Sequence, residues 1–216
     1  VDYPAVVTAM VSELEEMGAQ VIMGARVTKF NEAAQWTAET TAGDFTADWI
    51  INCAGLHCDR VSQRAGQKRD LRIVPFRGEY YKLKPESQHL VKHLIYPVPD
   101  PQFPFLGVHF TRLISGGIEA GPNAVLAFAR EGYSRSSFNL EDAVGFLTYP
   151  GFWRMSAAHW KTAVEEQYRS VVRTAFVRSL QALVPEIKKE DLHEPGAGVR
   201  AQAVDQNGNL LQDFRI

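Results

Sequence analysis

The sequence predicts a mixed α+β or α/β fold in which helices surround a sheet that is mainly antiparallel. Two observations support this prediction. The first 55 residues alternate a helical pattern with short strand-like runs, whereas the middle of the chain contains short β-like runs separated by turns rich in Pro and Gly. Helical spacing then dominates from 139 to 183, and a last strand-like run follows at 199–204. This order indicates a chain that leaves one domain, builds a second and returns.

The N-terminal region begins with an amphipathic helix, because apolar residues recur at three- and four-residue spacing from Val7 to Met17. Two short apolar runs, Val21–Met23 and Trp49–Ala54, are predicted to be buried strands. Three weaker runs predict a small meander between them, at residues 27–30, 35–40 and 45–47. A short helix is expected at 59–66.

The middle of the chain has a sequence pattern typical of an antiparallel sheet. Its β-like runs lie at residues 72–84, 94–98, 106–112, 117–120 and 125–128. Helices are then predicted at residues 139–147, 151–158 and 160–183.

Composition excludes several classes of protein. The chain has 216 residues, with 23 Lys and Arg against 25 Asp and Glu, so the net charge is −2 and no basic excess suggests a nucleic-acid partner. Cys53 and Cys58 are too few for a disulfide scaffold, and they lie five residues apart, outside the usual spacing of zinc ligands. His89 and His93 have a suitable spacing, but they flank a β-like segment with no acidic partner, so no metal site is predicted. No apolar run approaches the roughly 20 residues that span a bilayer.

The run Gly196-Ala-Gly198-Val-Arg200-Ala matches the dinucleotide-binding pattern of glycines, but its context is wrong. That pattern needs a strand before it and a helix after it, so that a pyrophosphate meets the helix N-terminus. Here a β-like run follows the glycines. We therefore expect that Gly198, which has no side chain, allows the backbone to pass close to a flat neighbouring group.

Three polar residues lie within apolar β-like runs: Arg77, His109 and Arg200. A buried charge must find a partner, so each residue could simply belong to an internal ion pair or be a satisfied core histidine. Alternatively, the three could converge on an anionic ligand, because Arg binds carboxylates through two parallel hydrogen bonds and His exchanges protons near neutral pH.

Several longer motifs resemble a known family. Residues 52–60, Asn-Cys-Ala-Gly-Leu-His-Cys-Asp-Arg, resemble the strand-end segment of FAD-dependent oxidoreductases of the D-amino acid oxidase type. The sequence more closely resembles the L-2-hydroxyglutarate oxidase/dehydrogenase family, in order along the chain, at residues 73–78, 95–100, 103–111, 121–128 and 198–203.

The resemblance implies a mixed-sheet substrate domain with helices, attached to part of a Rossmann-type FAD domain. The implied boundaries are 1–66 for the partial FAD domain, 67–195 for the substrate domain and 196–216 for the segment that returns towards the FAD domain. The family's own Gly-x-Gly-x-x-Gly lies before the segment that opens this chain. We therefore expect FAD to be the cofactor of the intact enzyme, with this central piece unable to bind it alone.

The resemblance also assigns roles to residues. Arg200 matches the arginine that holds the substrate α-carboxylate, and His109 is the expected catalytic base. Weaker substrate-binding or flavin-edge candidates are Arg77, Tyr80, Tyr96 and Asn123. The expected cofactor contacts are Val27, Ala54, Gly55 and Gly198.

The implied reaction is the FAD-dependent oxidation of L-2-hydroxyglutarate, or a similar 2-hydroxy acid, to the 2-oxo acid. The expected partner is a small dicarboxylate, and both oxygen and a membrane quinone stay open as electron acceptors. A cytoplasmic location, with the option of peripheral attachment to the inner membrane, fits this reaction. The alternative is a non-catalytic ligand-binding or interaction module.

Overall fold

A computed structural model describes residues 1–68, 70–98, 107–193, 196–213 and 215, and shows a mixture of helices and antiparallel sheets. The chain divides into two compact units. The first comprises Val1–Ala54 and Cys58–Lys68, and the second comprises Gly55–His57 and Arg69–Ile216. The predicted domain boundaries at 66 and 195 stay a prediction.

The first unit begins with helix α1 (Tyr3–Glu16), as predicted, but the apolar face of this helix is not buried. Asp2 caps it by accepting a hydrogen bond from the Ala5 backbone N–H at 3.1 Å. The two apolar runs Val21–Met23 and Trp49–Ala54 were wrongly predicted to be strands. A strand needs a neighbour for its backbone hydrogen bonds, and the described residues of this unit place no strand beside either run.

The remaining elements of the first unit form the predicted meander and the short helix. Strands β1 (Val27–Glu32), β2 (Trp36–Thr40) and β3 (Gly43–Ala47) pair antiparallel in that order. Helix α2 (Cys58–Arg64) is tied to the meander by Arg64, whose guanidinium donates to the Val27 carbonyl oxygen at 3.0 Å.

The second unit is organised around one long strand, β4 (Leu71–Lys82). On one side β4 pairs over ten positions with β8 (Gly196–Asp205); on the other it pairs with β7 (Val125–Leu126) and β6 (Ile118–Gly121). Strand β5 (His109–Arg112) completes the sheet by pairing with β6, and every pair is antiparallel. Position 106, where one predicted run began, lies outside the described residues.

Three helices pack in the second unit: α3 (Leu140–Leu147), α4 (Pro150–Val171) and α5 (Arg173–Gln181). The predicted break between helices at residue 159 is a kink, with non-helical angles at His159, and the helix actually ends before the extended Val172. No helix in the described part of the chain combines the length and hydropathy of a membrane span.

Two apolar clusters hold this unit together, and β4 contributes to both. Val74 belongs to a cluster with residues of α3, α4 and β8, whereas Tyr81 belongs to a cluster that includes Phe176 and Leu180 of α5. The charged residues Arg77 and Glu79 lie on β4 between these two anchor points and are buried. Their position explains why the sheet needs an internal hydrogen-bond network here.

Candidate functional site

A cavity of about 290 Å³ opens in the second unit beside β4, β5 and β8. It is lined by six of the residues predicted to form a site: Arg77, Tyr80, His109, Asn123, Gly198 and Arg200. Strands β4 and β8 run side by side along this wall, so residues far apart in sequence meet there.

Two facing glycines leave space in the cavity wall. Gly78 of β4 lies opposite Gly198 of β8, and directly opposed residues project to the same face of a sheet. A side chain at Gly78 would come within 2.7 Å of Pro122 Cβ, whereas one at Gly198 would meet only Tyr80, at 3.8 Å. The cavity therefore exists partly because these two positions carry no side chain.

His109 is held in a defined tautomer. Its Nδ1 lies 3.0 Å from the Gly107 carbonyl oxygen, and a carbonyl can only accept, so the contact favours hydrogen on Nδ1. In the neutral ring Nε2 then carries the lone pair and can accept a proton. Tyr96 stacks on the ring with centroids 4.2 Å apart, and its hydroxyl lies 3.1 Å from Thr111 Oγ1.

Arg200 and Tyr80 supply two further polar groups of the cavity wall. Arg200 lies on β8 opposite Phe76 and is exposed. Burial raises the pKa of the Tyr80 hydroxyl, and the nearby Glu119 and Tyr96 raise it further. Tyr80 therefore stays a neutral hydroxyl that can donate a hydrogen bond at physiological pH.

Arg77 has partners within the protein. Its Nη1 donates to the Ser134 carbonyl oxygen at 2.9 Å, and its Nη2 contacts Glu79 Oε1 at 3.3 Å. Its Nε is buried and has no partner among the described residues. Of the two arginines at the cavity, Arg77 is buried, whereas Arg200 is exposed.

Sequence reasoning missed Glu79, Arg135 and Ser170. Together with the predicted Arg77 and Asn123 they form what we call the Glu79 cluster. The Glu79 carboxylate accepts hydrogen bonds from the other four side chains. Burial raises the pKa of Glu79, but hydrogen bonds from Arg135, Ser170 and Asn123 outweigh it and leave the pKa below its ordinary value. The alternation Arg77-x-Glu79 on an apolar strand, which puts both side chains on one face, could have predicted part of this cluster.

Asn123 fills a gap between strands. The segment 122–124 connects β6 to β7, and these strands pair with β4 at different places, so the Glu79 backbone N–H has no strand partner on that side. The Asn123 side-chain oxygen accepts from this N–H at 2.8 Å. Gly121, with φ of 144°, permits the turn, since a Cβ there would lie 2.7 Å from the Glu79 carbonyl oxygen.

The predicted FAD contacts are divided between the two units. Val27 and Ala54 belong to the first unit, whereas Gly55 and Gly198 belong to the second. Ala54 and Gly55 are small and exposed, and Gly55 has φ of 51°, which suits a close approach of a ligand to the backbone. Gly198 lies inside β8, so its glycine pattern is not a strand-to-helix phosphate turn.

Among the described residues, no three His, Cys, Asp or Glu side chains lie together in a group that could hold a metal ion. Cys53 and Cys58, both within the described residues, are not joined in a disulfide.

Comparison with known proteins defines the class of protein. The DAO family model of FAD dependent oxidoreductases matches residues 1–213, so the chain belongs to this family, as its motifs predicted. The chain is 50% identical over its whole length to an L-2-hydroxyglutarate dehydrogenase of Indibacter alkaliphilus, covering 55% of that protein. It is 40% identical over 99% of its length to L-2-hydroxyglutarate dehydrogenases of Escherichia coli and Homo sapiens, the latter mitochondrial, covering 51% and 49% of them. The chain thus spans about half the length of the curated relatives it matches.

Solved structures support the fold. The L-alpha-glycerophosphate oxidase of Mycoplasma pneumoniae, with FAD bound, has a TM-score of 0.57 at 17% identity, over 87% of this chain and 41% of that one. Glycine oxidase of Bacillus cereus has a TM-score of 0.55 at 15% identity, over 91% and 43%. These likenesses confirm the predicted fold class, a mixed sheet with helices.

Proposed function

We propose that this chain provides the substrate cavity of a flavoenzyme that oxidises L-2-hydroxyglutarate, or a similar 2-hydroxy acid, to the 2-oxo acid. The observation that carries the proposal is the meeting of His109, Tyr80 and Arg200 at one cavity. These groups supply a proton acceptor, a neutral hydroxyl donor and a permanent cation, which together suit a hydroxy acid. The names of the relatives point to the same substrate.

Arg200 is the proposed partner of the substrate α-carboxylate. Its planar guanidinium can make two parallel hydrogen bonds to a carboxylate, a geometry that Lys cannot reproduce. A carboxylate held in this way fixes one end of the substrate, and Tyr80, Tyr96, Asn123 and Arg77 are the proposed donors around its other oxygen atoms.

His109 is the proposed base. With hydrogen on Nδ1, its Nε2 can take the proton of the substrate hydroxyl, while the stacked Tyr96 restricts the ring's movement. FAD, when bound, supplies the acceptor for the two electrons and the hydrogen that leave the hydroxyl-bearing carbon. The protein's own contribution is thus to orient the substrate and to remove one proton at a defined atom.

Val27, Ala54, Gly55 and Gly198 are the proposed contacts to FAD. Ala54, Gly55 and Gly198 have small or no side chains, which would allow the cofactor to approach closely, and Val27 is proposed from the family resemblance. Oxygen or a membrane quinone is proposed as the final electron acceptor, and the proposed location is cytoplasmic, peripheral to the inner membrane if a quinone is used. Comparing oxygen consumption with reduction of an added quinone distinguishes the two acceptors.

The test uses the complete flavoenzyme that contains this chain. We expect it to convert L-2-hydroxyglutarate into 2-oxoglutarate, measured by chromatography of the product. Arg200→Lys should raise KM and lower kcat/KM by roughly a hundredfold, because a charge-assisted bidentate contact is lost. Equal kinetics for Arg200→Lys and the unaltered enzyme would remove Arg200 from the substrate site, and absence of any 2-oxo acid would overturn the proposed reaction.

A further inference from the structure

Asn123 lines the cavity, and its side chain is held in a defined orientation. Its oxygen accepts from the Glu79 backbone N–H at 2.8 Å, and its Nδ2 donates to Glu79 Oε2 at 3.0 Å. A flipped amide would bring two donors together at the backbone and two acceptors together at the carboxylate. Glu79 therefore excludes the flipped orientation.

The orientation decides what Asn123 can offer to a ligand. One hydrogen on Nδ2 is used by Glu79, and the second has no partner among the described residues. Because Asn123 also lines the cavity, this second hydrogen suits an oxygen acceptor, such as a carboxylate or carbonyl oxygen of a 2-oxo or 2-hydroxy acid.

Glu79 is in turn held from outside the cavity. Arg135 donates two hydrogen bonds to its carboxylate, from Nε at 2.8 Å and from Nη2 at 2.9 Å. The same guanidinium also donates to the Ser170 carbonyl oxygen. The Arg135 side chain is 52% exposed, whereas that of Glu79 is 4% exposed. Arg135 does not line the cavity, so it can act on a ligand there only through Glu79 or through its charge.

We infer that Glu79 and Arg135 are positioning residues that fix the Asn123 amide as a hydrogen-bond donor towards an oxygen atom of the ligand. The inference rests on the proposed function, because it takes the ligand to be a 2-hydroxy or 2-oxo diacid. If the inference holds, Arg135 helps to determine ligand affinity although it is half-exposed and lies outside the cavity.

The experiment measures binding of 2-oxoglutarate, the product of the proposed reaction, to the oxidised flavoenzyme by calorimetry. Arg135→Gln should raise the Kd roughly threefold to tenfold, the range expected for residues in one hydrogen-bond network. Arg135→Lys keeps the positive charge but lacks the planar guanidinium that donates two hydrogen bonds. It should therefore show most of the same loss of affinity for 2-oxoglutarate. In an Asn123→Ala background, Arg135→Gln should cause no further loss.

The matched control is Arg215→Gln. Arg215 makes an equivalent two-bond contact with Asp70, at 2.8 Å for both bonds, and its side chain is 57% exposed, but it does not line the cavity and has no contact with the Glu79 cluster. This variant should bind 2-oxoglutarate like the unaltered enzyme.

Three results would overturn the inference: an unchanged Kd in Arg135→Gln, full recovery in Arg135→Lys, or the same loss with and without Asn123. Lack of 2-oxoglutarate binding by the unaltered enzyme would also overturn it. The proposed function fails by a different result, the absence of L-2-hydroxyglutarate oxidation, so the two failures are distinguishable.

Discussion

At the residue scale, two buried carboxylates have opposite electrostatic settings. Glu79 receives four side-chain donors, and its pKa lies below the ordinary 4.5. Glu166 of α4 accepts from the Ala124 backbone N–H at 2.9 Å and pairs with Arg169, yet burial dominates and raises its pKa. Ionised Glu79 therefore stabilises the fold, whereas ionisation of Glu166 costs stability.

The two carboxylates should respond differently to neutralisation. At pH 7, Glu79→Gln should lower the free energy of unfolding by roughly 3 kcal/mol, because it leaves two arginines without their shared anion. Glu166→Gln should lower it by no more than about 0.5 kcal/mol, since Gln still accepts from Ala124 and the side chain of the partner Arg169, 26% exposed, keeps contact with water. Urea denaturation measures both. A larger loss for Glu166→Gln than for Glu79→Gln would contradict this assignment.

The pH dependence follows from the sign of each shift. The contribution of Glu79 is complete above its unfolded pKa of about 4.5 and is lost as pH falls through its lower folded pKa. The difference in free energy of unfolding between the unaltered protein and Glu79→Gln should therefore decrease as the pH is lowered below 4.5. A difference that stays constant down to pH 3 would show that the charge of Glu79 is not its source.

His109 has a prediction of its own at the residue scale. His109→Gln removes the proton acceptor while keeping a side chain of similar size, so kcat should fall roughly a hundredfold to ten-thousandfold, with a much smaller change in KM. Steady-state kinetics on L-2-hydroxyglutarate check this split. If KM changes and kcat does not, His109 binds the substrate and another group is the base.

At the element scale, the pairing of β4 with β8 builds the cavity wall. The register sets Gly78 against Gly198, and only the first of them has a neighbour, Pro122, within collision distance of an added side chain. The two glycines therefore differ in what a methyl group would do, although both face the same cavity.

Substituting these glycines by alanine tests the wall. Gly78→Ala should displace the segment 122–124, lower stability by roughly 1–3 kcal/mol and weaken 2-oxoglutarate binding, because Asn123 moves with the segment. Gly198→Ala should change stability by less than about 0.5 kcal/mol, since its methyl group meets only ordinary contacts. Thermal denaturation of both variants checks the contrast, and equal losses would show that contact with Pro122 is not what makes Gly78 necessary.

The elements also show how far sequence reasoning reaches. Alternation and turn residues predicted β4 and the final strand, and the positions of Arg77, His109 and Arg200 within strands predicted that they could converge. The sequence around Arg135 and Ser170 does not indicate that both contact Glu79. Arg135 lies 56 residues from Glu79 along the chain, and Ser170 lies 91 residues from it. Apolarity alone also wrongly predicted strands at Val21–Met23 and Trp49–Ala54, because strand pairing depends on a neighbour.

At the scale of the whole molecule, the two units differ in how much they bury. Among the described residues of the first unit, Phe30 is the single apolar side chain that counts as buried, whereas the second unit has two apolar clusters. Stability follows buried apolar area, so the second unit should hold most of the resistance to unfolding.

Limited proteolysis of the 216-residue chain tests this difference. The first cuts should fall within residues 1–54, leaving a resistant product that begins after them, because local opening is easiest where few apolar contacts exist. Mass spectrometry of early products identifies the sites. Early cleavage within β4 or α5, with residues 1–54 intact, would contradict this expectation.

The central claim is that His109, Tyr80 and Arg200 form the site where a 2-hydroxy diacid is oxidised. Its most direct test is anaerobic mixing of the complete flavoenzyme with L-2-hydroxyglutarate while the visible absorbance of the flavin is recorded. We expect bleaching with the L enantiomer, and bleaching slowed roughly a hundredfold or more in His109→Gln. A flavin that keeps its colour with L-2-hydroxyglutarate, or one that bleaches equally fast in His109→Gln, would contradict it.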